Sequence, residues 1–226
     1  MMKKLIVSVL LILSVYSVNV KAEDNGFSMD FGTDVTTNYI WRGYKLADLS
    51  VQPEISVNYA GSNLDLSFGV WGTASLVQDY YSEIDAFVSA SLGNFTLSVT
   101  DYGTPNTYFD KFNENHALDI AAEYYFGDNL PLTLTWSSVD FASEWSHYFE
   151  LNYDFSIAGF DLFAQVGCLP FTATYYTETE DFVLNNLSLG VSRELSFWNV
   201  EDLPVSMQVT YNPDEEDTFL NFSVSF

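Results

Sequence analysis

Apolar and polar residues alternate along most of this chain with a period of two. From Phe27 to Trp41, one face of the pattern has Phe, Met, Thr, Val and aromatic residues, and the other has mainly Ser, Asp, Thr and Asn. Similar runs follow, separated by segments that contain Gly, Asn, Asp or Pro. This is the period of a β-strand with one polar face. The sequence therefore predicts strands at residues 27–42, 51–59, 64–70, 83–92, 95–100, 118–126, 132–137, 149–155, 160–168, 187–192, 205–211 and 220–226.

The predicted connections alternate between short and long segments. The short ones lie at residues 61–63, 93–94, 127–131 and 156–159. The long ones lie at residues 43–50, 72–82, 101–115, 140–146, 169–181 and 212–217. Residues 194–203 are the exception, a long connection where the alternation requires a short one. Short turns at one end and longer loops at the other are typical of bacterial outer-membrane barrels.

A soluble β-sandwich would show the same alternation, so further features must separate it from a membrane barrel. The strand number is even, and the chain ends on an outward Phe226 that resembles the signal by which bacterial barrels are assembled. Aromatic residues stand near strand ends on the apolar face, as in the two interfacial girdles of such barrels. These aromatic residues are Tyr39, Trp41, Tyr59, Tyr124, Phe126, Trp136, Phe155 and Tyr211. The sequence therefore predicts a closed antiparallel transmembrane β-barrel of about 12 strands, which leaves no strand edge unpaired in the bilayer.

The first residues are typical of a secretory signal peptide. Lys3 and Lys4 precede an apolar stretch, and Val20-Lys21-Ala22 resembles a cleavage site. A retained membrane anchor is the alternative, but the apolar stretch is short for a span of about 20 residues. We therefore expect a signal peptide at residues 1–22 and a barrel domain at residues 23–226, secreted to the bacterial outer membrane.

The charge balance excludes several classes of partner. Three of the seven Lys and Arg residues lie in the predicted signal peptide, and all 31 acids lie after it. Phosphates of nucleic acids and anionic lipid surfaces bind Lys and Arg, so neither is an expected partner. The chain has 15 Tyr, 19 Phe and 5 Trp, whereas disordered acidic chains are poor in aromatic residues. The expected partners are outer-membrane lipid, small solutes and, through the strand ending at Phe226, the barrel-assembly machinery.

The predicted inward face is strongly acidic. Arg42 is the one cation that the pattern clearly places there, so most inward carboxylates have no counter-charge. Unpaired buried charges are costly, so we expect a narrow, water-filled lumen; a polar plug is the alternative. Such a lumen favours cations, although the acids could simply hydrate the interior. The predicted pore-lining residues are Asp34, Asn38, Arg42, Glu54, Glu83, Asp85, Asp119, Glu123, Glu150 and Asp154.

Arg42 has a particular expected position. It follows Trp41, a predicted girdle residue, so its side chain should point into the lumen at the end of the first strand. We expect it to pair with Glu54, Glu83 or Asp85, while Gly43 allows the backbone to turn. Whether Arg42 forms a constriction or a gate, or only anchors the first loop, is left open by the sequence.

The stretch from Val35 to Thr73 resembles the opening of the TorF-like porin family (the Gcw_chp domain). The matching positions are Tyr39, Trp41, Arg42, Gly43, Pro53, Tyr59, Gly69, Trp71 and Gly72, followed by Glu83, Asp85, Tyr102, Pro105 and Glu150. The resemblance covers about residues 27–160. Lys45-Leu46 replaces the usual Gln-Ser after the Arg-Gly motif. The resemblance implies an outer-membrane barrel of the porin type and names no substrate.

The leading functional hypothesis is passive diffusion of small cationic or neutral solutes. A non-conducting surface or adhesion protein is the first alternative, and an outer-membrane hydrolase is the second. A hydrolase of this kind needs a Ser/His or Asp/His constellation, and only His116 and His147 exist, both expected at loop edges. Ser146 adjoins His147, but neighbours in a strand point to opposite faces. We therefore expect no enzyme activity, no cofactor and no bound metal, with Cys168 as a small strand residue.

Overall fold

The computed structural model describes residues 20–21, 26–77, 81–109, 116–171, 173–177, 181–197 and 200–226. Within these ranges the chain is all-β, and no helix is long and apolar enough to cross a membrane. The strands are β1 (Val20–Lys21), β2 (Phe27–Thr36), β3 (Tyr39–Trp41), β4 (Tyr44–Ala47), β5 (Ser50–Ala60), β6 (Asp65–Ser75), β7 (Ser82–Leu92), β8 (Phe95–Gly103), β9 (Ala117–Tyr125), β10 (Leu132–Phe141), β11 (Glu144–Ile157), β12 (Phe160–Leu169), β13 (Val183–Phe197), β14 (Val200–Asn212) and β15 (Asp217–Ser225).

Twelve of these strands form a closed antiparallel barrel, which confirms the predicted fold. From β5 to β14, each strand pairs with the next one in sequence, and β2 pairs with both β5 and β15. The closing pairs are Thr36 with Ser223, Val35 with Val224 and Asp34 with Ser225. Thr33 and Phe226 then exchange two backbone hydrogen bonds of 3.0 Å. Each strand therefore has a neighbour on both sides, and the side chains are divided between a lumen and an outer wall.

The outer wall is apolar, as the alternation predicts. Directly paired residues on neighbouring strands face the same side of a sheet, so Trp136 and Phe149 share the outer face while Ser137 and Tyr148 share the inner face. Large side chains on the outer face are exposed. They include Phe68, Val88, Leu97, Ile120, Leu151, Val166, Leu189, Val209 and Leu220. A surface of this kind needs an apolar surrounding medium, because soluble monomers rarely expose so large a contiguous apolar area.

The connections lie at two ends of the barrel, which we call the loop end and the terminal end. The loop end has the connection from β2 to β5, which includes the β3–β4 segment, and the connections after β6, β8, β10, β12 and β14. The terminal end has the connections after β5, β7, β9, β11 and β13 and Phe226. Two predicted connections are wrong. Only Ala142 and Ser143, both with positive φ, join β10 to β11, where residues 140–146 were expected to form a loop. β13 and β14 extend to Phe197 and from Val200, so residues 194–203 are not a long connection.

The predicted first strand is also wrong at its end. The alternation from residue 27 to residue 42 suggests one continuous strand, but β2 leaves the barrel wall after Thr36. Tyr39–Trp41 instead pairs with Tyr44–Ala47 as a separate hairpin, β3–β4. The backbone N–H of Asn38 donates to Asn221 Oδ1 at 2.9 Å, and the Asn38 side chain donates to the carbonyl of Leu220 at 2.7 Å. These bonds hold the connection against β15 at the point where it departs from the wall.

The predicted signal peptide falls mostly outside the described residues. Of residues 1–22, the structure describes only Val20 and Lys21, which form β1 opposite Met29 and Ser28 of β2. Since β5 occupies one edge of β2 along its whole length, β1 and β15 must share the other edge. The division into a signal peptide and a domain at residues 23–226 stays a prediction.

Closure between β2 and β15 can be tested with a disulfide. In a Cys168→Ala background, Val35→Cys with Val224→Cys should cross-link rapidly on mild oxidation, because directly opposed Cα atoms lie about 4.5–5.5 Å apart, within disulfide range. The measurement is the rate of cross-linking, followed by gel mobility of the denatured protein. Val35→Cys with Phe222→Cys is the control, since Phe222 lies two residues farther along the same face. Equal rates for the two pairs would contradict the observed register.

Candidate functional site

The β3–β4 hairpin folds into the lumen near the loop end, and its tip lies against β13 and β14. Its tip is Arg42-Gly43. Asn185 of β13 donates to the carbonyl of Arg42 at 2.8 Å, and Asn212 of β14 donates to the carbonyl of Gly43 at 3.2 Å. The hairpin therefore leaves the barrel between β2 and β5 and is held at its tip by strands on another side of the barrel.

The tip has the backbone of a tight two-residue turn. Arg42 has φ of 49° and Gly43 has φ of 86°, and positive φ at both central residues is the property of a type I′ hairpin turn. A side chain at position 43 would also collide with the wall, since a Cβ atom there would lie 2.0 Å from the carbonyl oxygen of Asn185. The expectation that Gly43 permits a turn is confirmed, and the close approach to Asn185 gives a second reason for glycine.

The Arg42 side chain forms a buried ion pair with Asp119 of β9. Arg42 Nη2 lies 2.6 Å from Asp119 Oδ2, and the two side chains are only 13% and 4% exposed. Arg42 Nη1 also donates to the hydroxyl of Tyr176, in the connection between β12 and β13. The expectation that Arg42 pairs with Glu54, Glu83 or Asp85 is therefore wrong. The partner of Arg42 is instead Asp119, one of the predicted pore-lining residues.

Asp119 accepts two further hydrogen bonds that complete its surroundings. Tyr102 of β8 donates to Oδ2 at 2.9 Å, and Ser137 of β10 donates to Oδ1 at 2.5 Å. A buried ion pair is tolerated only where additional hydrogen bonds satisfy both partners. Asp119 meets this condition, with three donors from three different elements. We call Arg42, Asp119, Tyr102, Ser137 and Tyr176 the arginine cluster.

Aromatic rings surround the guanidinium of Arg42. Its Cζ atom lies 4.5 Å from the centroid of Trp41, 5.0 Å from Tyr148 and 6.0 Å from Tyr176. Trp41 and Tyr176 are stacked with centroids 5.2 Å apart and ring planes at 10°. Cation–π attraction is strongest where water is excluded, as it is here. Trp41 therefore packs inside the barrel, and its predicted place in an outer aromatic girdle is wrong.

A second polar network adjoins the cluster on the same wall. Tyr148 donates to Glu150, and Gln165 Nε2 donates to Glu150 Oε1 at 2.7 Å. Asn186 of β13 donates to the Tyr148 hydroxyl at 3.1 Å. Gly167 makes room for this ring, since a Cβ atom there would lie 2.0 Å from the Tyr148 hydroxyl. Asn186 also donates to Glu150 Oε2 at 3.3 Å, so three neighbouring side chains hold Glu150 at the wall.

The charge states of the hairpin and loop residues follow from these contacts. Burial alone would lower the pKa of Arg42, because it disfavours the charged form. Tyr176 and Asp119 outweigh burial and raise the pKa of Arg42 above its ordinary value. Burial, opposed in part by Arg42, raises the pKa of Tyr176 to about 12. At neutral pH the guanidinium is therefore charged and the Tyr176 hydroxyl protonated, as the donor and acceptor roles require.

The other predicted pore-lining residues are spread over the wall. Glu83 accepts a bond from Tyr81 at 3.2 Å, and Asp85 beside it is buried. Asn38 is fixed to β15 and does not line the lumen wall as a strand residue. Asp34 is half-buried, whereas three predicted inward carboxylates, Glu54, Glu123 and Asp154, are exposed. Of the predicted pore-lining residues, only Arg42 and Asp119 form an ion pair with each other.

Several residues of the arginine cluster and of the network beside it were not predicted as lumen residues. Ser137 occupies an inward position of a predicted strand. Tyr102 and Tyr148 continue the inward alternation just beyond the predicted strands at residues 95–100 and 149–155, so the pattern could have placed them in the lumen. Asn185 and Asn186 precede the predicted start of their strand at residue 187. Tyr176 lies in a long connection with no periodic pattern, so nothing local indicates that it meets Arg42, 134 residues away in sequence.

The two histidines lie on the outer face. His116 Nδ1 is 2.8 Å from Asp101 Oδ1. His147 lies inside β11 rather than at a loop edge, and its Nδ1 is 2.8 Å from Ser138 Oγ on β10. Trp136 Nε1 donates to the same hydroxyl at 2.9 Å. Among the described residues, no carboxylate is hydrogen-bonded to His147, and no group of three or more His, Cys, Asp or Glu residues could hold a metal ion. The absence of enzyme activity stays a prediction.

Fold and site together define a closed barrel with an apolar wall and a polar lumen that a pinned hairpin narrows. No model of a known protein family matches the chain, and no curated protein matches it. The resemblance to the TorF-like porin family therefore stays a prediction.

Loss of the Arg42–Asp119 pair should destabilise the barrel. Asp119→Asn leaves a guanidinium buried without its carboxylate, which costs about 3–5 kcal/mol. Asp48→Asn is the control, since Asp48 pairs with Lys45 at 2.7 Å on the surface, where such pairs contribute less than about 1 kcal/mol. The measurement is the free energy of unfolding by denaturant in phospholipid vesicles. Similar losses for both variants would show that the buried pair does not stabilise the fold.

Proposed function

We propose that this protein is a bacterial outer-membrane barrel through which small cationic or neutral solutes diffuse passively. The observation that supports it most directly is the division of the closed wall into an apolar outer face and an acidic inner face. Outer-membrane barrels have this division, with polar residues toward a lumen. Carboxylates that line a lumen favour the entry of cations over anions.

The exposure of the inward carboxylates supports a water-filled lumen in the terminal half of the barrel. Glu123 and Asp154 face inward by alternation and are exposed, as is Glu54. Carboxylates of this kind remain charged only where water reaches them. Asp119, Asp85 and Glu150, nearer the loop end, are buried or half-buried. The lumen is thus wet at one end and narrowed by side chains at the other.

The arginine cluster sets the size of what could pass. The hairpin tip and Tyr176 extend into the lumen at the loop end, where Asn185 and Asn212 hold the tip against the wall. A solute must pass beside them, so the proposal is restricted to small solutes. Twelve strands give a lumen between the filled eight-stranded barrels and the open sixteen-stranded porins.

The same hairpin favours a second candidate function, that of a non-conducting surface protein. Two backbone carbonyls of its tip accept hydrogen bonds from Asn185 and Asn212, and the Arg42 side chain pairs with Asp119. If these contacts close the lumen completely, the barrel serves as a membrane anchor for the loop end, and its function lies in external contacts there.

Several further elements belong to the proposal. Removal of residues 1–22 as a signal peptide would place the barrel outside the inner membrane, and the strand ending at Phe226 would guide its assembly. Outer-membrane lipid would cover the apolar wall. In such barrels the longer loops are external, so the loop end would face outward.

The first test is single-channel conductance of the refolded protein in planar bilayers under a salt gradient. We expect steady current steps and a reversal potential of cation-selective sign. In the double variant Glu123→Gln, Asp154→Asn the cation preference should fall, because both neutralised groups line the wet half. Glu144→Gln, an exposed residue at the loop end, is the control. A reversal potential unchanged by the double variant would remove these carboxylates from the conduction path.

A hairpin replacement separates the two candidate functions. Substitution of residues 39–47 by a short Gly-Ser linker removes the segment that folds into the lumen. For a pore narrowed by the hairpin, conductance should rise several-fold over a measurable starting value. A protein silent before the replacement and conducting after it would support the non-conducting function instead. Folding of the variant is checked by the gel mobility of unheated samples.

A further inference from the structure

A cavity of about 450 Å³ opens above the arginine cluster at the loop end, and we call it the vestibule. Its volume lies in the range of small-molecule binding sites. Six aromatic side chains dominate its lining, from the hairpin and from three parts of the barrel. They are Trp41, Tyr44, Tyr81, Tyr102, Tyr175 and Tyr176.

The charge of the vestibule is negative. Glu83 and Glu215 line it, together with Lys45. Lys45 is already paired with Asp48 at 2.7 Å. Neither Glu83 nor Glu215 has an ion-pair partner among the residues that the structure describes. A ligand that enters this cavity therefore meets two carboxylates without counter-charge.

The aromatic walls of the vestibule already stabilise one cation. Trp41 and Tyr176, which line the cavity, also flank the guanidinium of Arg42 at 4.5 and 6.0 Å. Tyr175 extends this aromatic surface, with its ring centroid 6.1 Å from Trp41 and 5.5 Å from Tyr176. Ring faces attract cations most strongly where water is partly excluded. Two aromatic rings of the cavity thus already make cation–π contacts with the protein's own Arg42.

From the aromatic lining and the two carboxylates without an ion-pair partner, we propose that the vestibule binds small organic ammonium ions. This inference rests on the proposed function and deepens it, because it names the class of solute that the loop end selects. Binding itself requires only the folded loop end. Anions would meet Glu83 and Glu215 with Lys45 already paired, so the vestibule disfavours them.

Isothermal titration of the refolded protein with tetramethylammonium chloride tests the proposal. The detergent should be a tetraoxyethylene type, with neither ammonium nor sugar headgroups that could compete. tert-Butanol, a neutral molecule of similar shape, and glucose are the comparison ligands. We expect tetramethylammonium to bind about twofold to thirtyfold more tightly than tert-butanol, the ratio that a cation–π contact of ordinary strength gives.

Matched variants locate the binding. Glu83→Gln and Tyr175→Leu should each weaken tetramethylammonium binding within the same range of about twofold to thirtyfold. Glu194→Gln and Tyr125→Leu, the same exchanges at the terminal end of the barrel, should leave it unchanged. Binding no tighter than that of tert-butanol, preference for glucose, or equal effects of both pairs of variants would overturn the proposal.

The titration is independent of conductance, so the two proposals can fail separately. Tight ammonium binding by a barrel without current would refute passive diffusion and leave the vestibule as a receptor site. Cation-selective current without ammonium binding would refute the vestibule proposal alone. Unheated gel mobility confirms that each variant is folded before its binding is compared.

Discussion

Closure of the backbone ladder between β2 and β15 is the constraint on which the other features of the structure depend. A strand edge left open would expose unpaired N–H and C=O groups, and a membrane has no water to satisfy them. Once Thr33 and Phe226 join the two ends, each side chain of the wall faces either outward or into the lumen. The period-two alternation of the sequence is then sufficient to place apolar residues on the outer face and acidic residues in the lumen.

The lumen deals with its acids in two physically different ways. At the terminal end, Glu123 and Asp154 are exposed, and water can solvate them. At the loop end, Asp119 is 3% exposed, and solvation is replaced by Arg42, Tyr102 and Ser137. Because an unpaired buried carboxylate costs several kcal/mol, the hairpin that delivers Arg42 is a structural requirement of this wall. The hairpin is therefore more than a feature of the first loop.

How much the sequence predicts depends on how local each feature is. Alternation depends on neighbouring residues, so the twelve strands and their two faces were predicted correctly. The same alternation continues through Tyr39 and Trp41, which leave the wall, because a hairpin strand has the same period as a barrel strand. The partner of Arg42 lies 77 residues away, and the sequence offers no signal at that distance. The inward position of Asp119 was predicted, but its ion pair with Arg42 was not.

The same contacts argue against a gating role for Arg42. A gate would have to withdraw the arginine from Asp119 and release the bonds from Asn185 and Asn212. Breaking the buried pair alone costs about 3–5 kcal/mol, so an open state would be populated less than about 1% of the time. On this argument Arg42 is a fixed part of the narrowed lumen and not a gate. Selectivity at the loop end must then come from static features, namely the width beside the hairpin and the charge and aromatic faces above it.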